Sequence, residues 1–200
     1  LTMPDLPMLE TILAAKLGDD GRTDSRGRGE DATVNRLEDL SAEITGKEAA
    51  VFMPTGTFAN STAIMTCCHA GDKVLVEEEQ HILLTEKFVF EKDYGRLIPV
   101  CYRLDHKHMP DPEEIDRLLS ESGSKLVCLE NSHNSAGGYC IDCSTLEKIR
   151  KVADKHGAWI HMDGARLFHA AAYLDTTASQ LCQYADSVMF CVSKGLGAPI

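Results

Sequence analysis

Positive charge is the scarcest resource in this sequence: 20 Lys and Arg stand against 31 Asp and Glu, for a formal net charge of -11. That balance excludes the basic footprint that nucleic acid or an anionic membrane surface requires, so a small molecule is the expected ligand. Long apolar runs are missing as well. No segment reaches the length of a membrane span and the N-terminus has no basic-then-apolar signal pattern, which sets the expectation of a soluble, cytoplasmic protein. There is no internal repeat, no Walker lysine and no complete dinucleotide glycine fingerprint, so ATP and NAD are poorly supported. Cys140-Ile-Asp-Cys143 has metal or redox spacing, but no second pair lies at zinc-ribbon distance, and no metal is expected.

What remains suffices for a core. With 44% hydrophobic and 26% charged residues, the 200-residue chain reads as one compact domain or a large part of one. It opens at Leu1 and stops six residues after Lys194, the outline of a fragment or a processed form. Cys67, Cys128, Cys182 and Cys191 fall in apolar strand or helix patterns, where a free thiol acts as a small hydrophobe, so the eight cysteines are expected to be reduced.

Periodicity sets the organisation. Val34, Leu37, Leu40 and Ile44 recur at helical spacing over Thr33 to Thr45, with Thr33 as N-cap and Gly46 as stop. Ala49 to Met53 reads as a strand, Pro54 to Thr57 as a turn and Phe58 to Cys68 as a helix, and the pattern repeats with strand Lys73 to Glu77 and a helical stretch from Ile82 to Phe90. Further strands are expected at Leu97 to Tyr102, Lys125 to Leu129, Trp159 to Met162 and Ser187 to Val192, with helices at Pro112 to Glu121 and Ser144 to His156. Short apolar strands alternating with helices indicate an α/β fold with a mainly parallel sheet flanked by helices. Residues 1–32 divide off as an N-terminal helix and a mobile loop, Gly18 to Asp31, ahead of a main domain at 33–200.

In open α/β sheets ligands bind beyond the carboxyl ends of the strands, so the polar residues there are the candidates. The run from Ser187 delivers Ser193 and Lys194 into a turn containing Gly195, Gly197 and Pro199, which would seat the lysine at a rigid strand end. Desolvation lowers the pKa of an amine and readies it to form a Schiff base with a carbonyl. Thr55-Gly56-Thr57 joins a strand to a helix start, where backbone N–H groups and the helix dipole favour one phosphate. Asp163 ends an apolar strand and needs a partner there, such as a cationic ring nitrogen or the backbone N–H groups of its own turn. Arg166 could pair with Asp163 or reach an anionic ligand group. His81 and His133 each follow a strand, placed to stack on a flat ligand or to move protons near neutral pH. Each residue alone has a structural explanation; their convergence is what points to a site.

The phosphate turn, the flat-ring histidine, the acid for a ring nitrogen and the Schiff-base lysine, in that chain order, describe a pyridoxal 5'-phosphate site. Pro54-Thr-Gly-Thr-Phe-Ala-Asn60, Leu129-Glu-Asn-Ser-His-Asn134, His161-Met-Asp-Gly-Ala-Arg-Leu-Phe168 and Ser193-Lys-Gly-Leu-Gly-Ala-Pro199 closely resemble the low-specificity threonine aldolases. These belong to the aromatic amino acid β-eliminating lyase/threonine aldolase group of fold-type I enzymes. The resemblance implies the large domain of that fold, without the C-terminal small domain. It implies that Lys194 holds the cofactor, that Asp163 keeps the ring nitrogen protonated and that His81 stacks on the ring. Thr55, Gly56, Thr57 and Ser193 would complete the cofactor site. Arg166 would meet the cofactor's phenolic oxygen and the substrate carboxylate, and His133 the substrate hydroxyl. The implied reaction is retro-aldol cleavage of threonine or allo-threonine to glycine and acetaldehyde, in a homodimer or homotetramer with shared active sites. Two other readings stay open: a pyridoxal-phosphate lyase working by β-elimination, and a non-catalytic truncated paralogue. The segment Gly21 to Asp31 lacks the tyrosine that the family carries there, and Lys87 to Asp93 replaces a stretch usually rich in Gly and Ala.

Overall fold

A computed structural model describes residues 2–16, 18–19, 21–25 and 27–198. Its centre is a five-stranded sheet of β1 (Lys73–Glu77), β2 (Ile98–Tyr102), β3 (Leu126–Glu130), β4 (Trp159–Asp163) and β5 (Ser187–Met189). The order is β2-β1-β3-β4-β5 with every pair parallel. Period-two alternation divides the strand residues between two cores. Leu75, Val127, Ile160 and Met162 pack with Ile115 and Leu119 of α4 (Pro112–Ser122) and with Leu146 and Ile149 of α5 (Cys143–His156). Val74, Val76, Leu126 and Cys128 face the other way, onto Ile64 of α3 (Gly56–Cys67), Ile82 and Val89. Burial on both faces is why these strands are continuous apolar runs. No helix among the described residues is long and apolar enough to cross a membrane.

Caps explain where the helices start and stop. α2 (Ala32–Thr45) begins at Asp31, not at Thr33, because the Asp31 carboxylate accepts from the backbone N–H of both Thr33 and Val34. Gly157, with φ 62°, closes α5 in the left-handed conformation that a β-carbon disfavours. α1 (Leu6–Ala14) starts at Asp5 and buries none of its residues. The described residues of the loop after it include an antiparallel bridge between Thr23 and Gly29; Asp20 and Arg26 of that loop lie outside the description. Two short helices that periodicity does not reveal, α6 (Leu167–Tyr173) and α7 (Ala178–Cys182), cover the sheet between β4 and β5.

Three expected elements differ. Ala49 to Met53 forms no strand: it finds no ladder partner among the described residues, and the Phe52 N–H is taken by Glu38 Oε1 at 2.8 Å. The stretch after His81 is a single π-helical turn, Ile82–Glu86, stopped by Lys87 at φ 53°. β5 ends at Met189, so Lys194 lies on a turn at 192–196 beyond the strand, held by Gly197 N–H to Lys194 O at 3.1 Å and Ala198 N–H to Val192 O at 3.0 Å. Pro199, expected to help stop that strand, lies outside the described residues.

Candidate active site

Strand order fixes where a ligand can enter. The chain runs from β1 outward to β2 and then returns to β3 on the other side, so the connections part between β1 and β3 and leave a crevice at their carboxyl ends. Glu77, Glu130 and Asp163 end the three central strands, and Glu130 is in register with Asp163. All three carboxylates are buried. Burying charge costs free energy unless each group is bonded, and each has its own set of donors.

Glu130 accepts from the backbone N–H of His81 at 2.9 Å and of Asn134 at 2.8 Å, tying the loops after β1 and β3 together. Glu77 is bonded to His133, whose Nε2 lies 2.9 Å from Glu77 Oε2 while Nδ1 accepts from Ala136 N–H at 3.2 Å. Nε2 therefore carries the proton that Glu77 receives. Burial pulls the His133 imidazole down, but the Glu77 bond and the charges of Glu130, Glu77 and Glu79 outweigh it and leave the pKa raised.

Asp163 accepts from Ala165 N–H at 3.0 Å and from Asn60 Nδ2 at 2.9 Å. Asn60 is a polar residue on the buried side of α3, and its amide also donates to Glu86 at 3.1 and 3.3 Å. Both amide hydrogens being directed at carboxylates, Asn60 Oδ1 is the atom that faces His161 Nε2 at 3.0 Å, and it can only accept. His161 is accordingly protonated on Nε2 and takes the Ser187 hydroxyl proton at Nδ1, 2.8 Å away. Burial drives the His161 pKa down to about 4, so the ring is the neutral link in a chain from Ser187 through His161 and Asn60 to Asp163. The Asp163 carboxyl is pushed up by burial and by Glu130, and it has no Lys or Arg ion pair among the described residues. A cation beside it would offset both.

His81 Nδ1 meets Glu86 Oε1 at 3.1 Å. His81 Nδ1 and one oxygen each of Glu86 and Asp163 lie within 4.8 Å of one another, a spacing a cation could use, but the Asn60 amide already bridges the two carboxylates. Arg166 does not pair with Asp163; it donates to Asn134 Oδ1 at 2.8 Å. Arg166, Lys194, Ser132, Cys140, His169 and Tyr173 line a cleft of about 510 Å³. Burial raises the Cys191 thiol, and the charges of Lys194, Asp163, Glu86 and Arg166 also act on it. The phosphate turn adjoins it: a Cβ on Gly56 would lie 2.9 Å from Cys191 Sγ. Thr55 Oγ1 caps α3 by accepting from Phe58 N–H at 3.0 Å, and Thr55 and Thr57 border an apolar groove with Phe58, Met65 and Phe88.

Of the sequence candidates, Arg166 and Lys194 share the cleft, His81 and Asp163 stand together beside Glu86, and Gly56 lies against Cys191. His133 is turned into its pair with Glu77, outside the lining of the cleft. Glu86, Asn60, His161 and Glu77 escape a sequence reading. Asn60 alone left a signal, a polar residue one turn before the core residue Ile64.

A parallel α/β sheet with a lysine and an arginine on one cleft and a buried acid at a central strand end is the frame of a cofactor-dependent enzyme domain. The particular lineage follows from comparison with known proteins. The chain belongs to the beta-eliminating lyase family, whose profile it matches over residues 1–200, and members of this family and of the threonine aldolases depend on pyridoxal phosphate. It is 35% identical over 208 residues to low-specificity L-threonine aldolase 1 of Arabidopsis thaliana, covering 100% of this chain and 56% of that protein. Alanine racemase TOXG of Cochliobolus carbonum is 31% identical over 207 residues, covering 100% of this chain and 51% of that one. A crystal structure of a putative L-allo-threonine aldolase from Listeria monocytogenes EGD-E superposes with a TM-score of 0.77 at 26% identity, over 96% of this chain and 52% of its own. The chain spans about half the length of the curated relatives it matches.

The residues present fit that cofactor. Asp163, a buried acid without a Lys or Arg partner among the described residues, suits a pyridinium nitrogen, and Lys194, beside Arg166 on the cleft, suits an aldehyde. The glycine where a side chain would collide with Cys191 suits close approach of a phosphate.

Proposed function

We propose that the protein cleaves 3-hydroxy amino acids such as threonine or allo-threonine to glycine and an aldehyde. The observation that carries this reading is Asp163, buried at the end of β4, held by the Asn60 and His161 chain and without a Lys or Arg partner among the described residues. Bound pyridoxal phosphate would supply the electron sink that makes carbon–carbon cleavage possible. The protein's share is positional. Lys194 offers the amine for the aldehyde, with Ser193 beside it. Gly56 and Thr57 present first-turn N–H groups to the phosphate. Asp163 holds the ring nitrogen's proton in place, and the Asn60 chain prevents the carboxylate from turning away. Arg166, anchored on Asn134, receives the substrate carboxylate. The 3-hydroxyl proton goes to an imidazole: His133 accepts it at Nδ1 once the Ala136 N–H is exchanged for the substrate, with Glu77 steadying the ring.

The apolar groove along α3, where Phe58, Met65 and Phe88 are exposed, supports assembly with a second copy as a homodimer or homotetramer. Mass measurement in solution tests that. Eight free cysteines are in keeping with a reducing, cytoplasmic setting, and the products would place the protein in threonine breakdown and glycine formation.

A second reading, β-elimination, is favoured by the family description itself. Purified full-length protein with pyridoxal phosphate should show a visible absorption band that Lys194→Ala abolishes, and should release aldehyde from threonine or allo-threonine. A 2-oxo acid and ammonia in place of aldehyde and glycine would move the assignment to elimination. A band with no turnover of any 3-hydroxy amino acid would leave a cofactor-binding paralogue.

A further inference from the structure

Residues five apart do not share a face of an α-helix, whose neighbours are three and four apart. His81 and Glu86 meet because the turn between them is a π-turn, closed by Lys87 N–H to Ile82 O at 3.1 Å and ended by the left-handed Lys87. Such turns cost hydrogen-bond quality and recur at functional sites. Here the turn aims a carboxylate with only 6% side-chain exposure at the imidazole of His81. Glu86 is fixed in its turn by the Asn60 amide, while the His81 backbone is fixed by Glu130. The ring is thus held from two elements besides its own.

We propose that Glu86 is a positioning residue: it fixes the plane of the His81 ring and its Nδ1–H tautomer, so that the imidazole is ready to receive the cofactor ring and Nε2 is its free proton acceptor. A carboxylate accepts, so Nδ1 must donate, and in the neutral ring Nε2 is left with its lone pair. Nε2 has no protein partner among the described residues. Burial pushes the Glu86 carboxyl up, the Asn60 bond opposes this, the Asp163 charge adds to it and the His81 bond opposes it again. The ionised Glu86 therefore depends on the donors that it orients, which couples its charge to the pose of His81. This inference rests on the pyridoxal-phosphate reading above.

The test uses the full-length protein with histidine ring nitrogens labelled, first without cofactor. Ring nitrogen shifts should report Nδ1–H at His81 in the wild type and lose that signature in Glu86→Leu, which keeps the bulk and offers no acceptor. Glu86→Gln, whose carbonyl still accepts, should keep it. The pyridoxal phosphate dissociation constant should rise about tenfold in the Leu variant, as expected for one lost charge-assisted bond, and by less than about threefold in the Gln variant. Melting temperatures check that each variant is folded; if the Leu variant is not, Glu86→Asp, which withdraws the acceptor by one methylene, takes its place with the same expectations. An unchanged His81 tautomer in the non-accepting variant overturns the proposal, as does equal loss of affinity in the Gln and Leu forms. A wild type that binds no cofactor would instead remove the functional reading, because the tautomer is measured without it.

Discussion

Asn60 is the residue whose loss should cost most for its size. Asn60→Ala strands three partners at once: Asp163 loses a donor at 2.9 Å, Glu86 loses one at 3.1 Å, and the His161 Nε2–H loses its acceptor at 3.0 Å. Asn60 is fully buried, with Asp163 and His161 at 2% and 1% exposure, so solvent cannot readily replace what is removed. A bond to a charged group contributes about 1.5–3 kcal/mol and an orphaned buried donor costs about 1–3 kcal/mol. Allowing for local rearrangement, the variant should lose about 3–5 kcal/mol. For a chain of this size each kcal/mol corresponds to about 2–4 °C, which sets the expected fall in melting temperature at about 6–20 °C. Asn60→Asp is the informative control: it preserves shape but turns an oxygen, not an amide, toward two carboxylates. At pH 8 it should be at least as destabilised as the Ala variant, and it should recover as acid neutralises the trio. Thermal unfolding by circular dichroism, without cofactor, measures both. If the Asn60→Ala variant melts within about 1 kcal/mol of wild type, or if the Asp variant is the more stable of the two at pH 8, the amide is not the bridge described and the His161 tautomer falls with it.

Three further outcomes follow from the same geometry. His161 is held neutral by burial, with a pKa of about 4 against 6.5 for the free side chain; the unfolded chain takes up a proton as pH falls through 6.5 and the folded one does not. Its contribution is therefore intact above pH 6.5 and lost toward pH 4, on the order of 3 kcal/mol, so the difference in melting temperature between wild type and His161→Gln should shrink or reverse across that window. Gly56→Ala puts a β-carbon 2.9 Å from Cys191 Sγ and should weaken pyridoxal phosphate binding in a direct titration, and adding Cys191→Ala should restore it; no rescue would mean that the collision is not what limits the site. Glu77→Gln keeps a hydrogen bond to His133 but removes the charge that raises its pKa, so the acid limb of the aldehyde-release profile should move to lower pH, whereas Glu77→Ala should cost about 1–3 kcal/mol of stability by leaving the buried Nε2–H without its acceptor. An acid limb that stays in place would argue that His133 is not the acceptor.

The fold was legible where burial on both faces leaves no ambiguity. Val74 to Val76 and Ile160 to Met162 are apolar because helices cover both sides of the sheet, and their strands were readable to within a residue. Ala49 to Met53 has similar composition, but composition does not provide a neighbouring edge, and it pairs with nothing described. The turn after His81 was illegible for a related reason: Ile82 and Leu83 satisfy a helical pattern, while the fifth-residue match between His81 and Glu86 has no period to betray it. In the site, residues at strand ends were foreseen because topology dictates that place. Glu77 was not, since Glu77-Glu-Glu79 reads as a solvated run when only the first of the three points inward.

The three buried acids show why strand-end position alone does not assign a role. Glu77, Glu130 and Asp163 occupy equivalent ends of adjacent parallel strands, yet each is neutralised differently. Glu77 has an imidazole, and Glu130 has two backbone N–H groups from separate loops. Asp163 has one backbone N–H and a side-chain amide, so, like Glu130, it has no charged donor among the described residues. Burial, and then the charge of Glu130 beside it, raise its carboxyl. A cation at the end of β4 would therefore offset both the burial of Asp163 and the charge of Glu130 beside it. The Asn60 amide can bridge Asp163 to Glu86, but it cannot supply the missing charge. A protonated ring nitrogen would bring that charge to a carboxyl that burial and Glu130 raise, and the acidity of the strand ends becomes a preference for where a cofactor's positive end must lie.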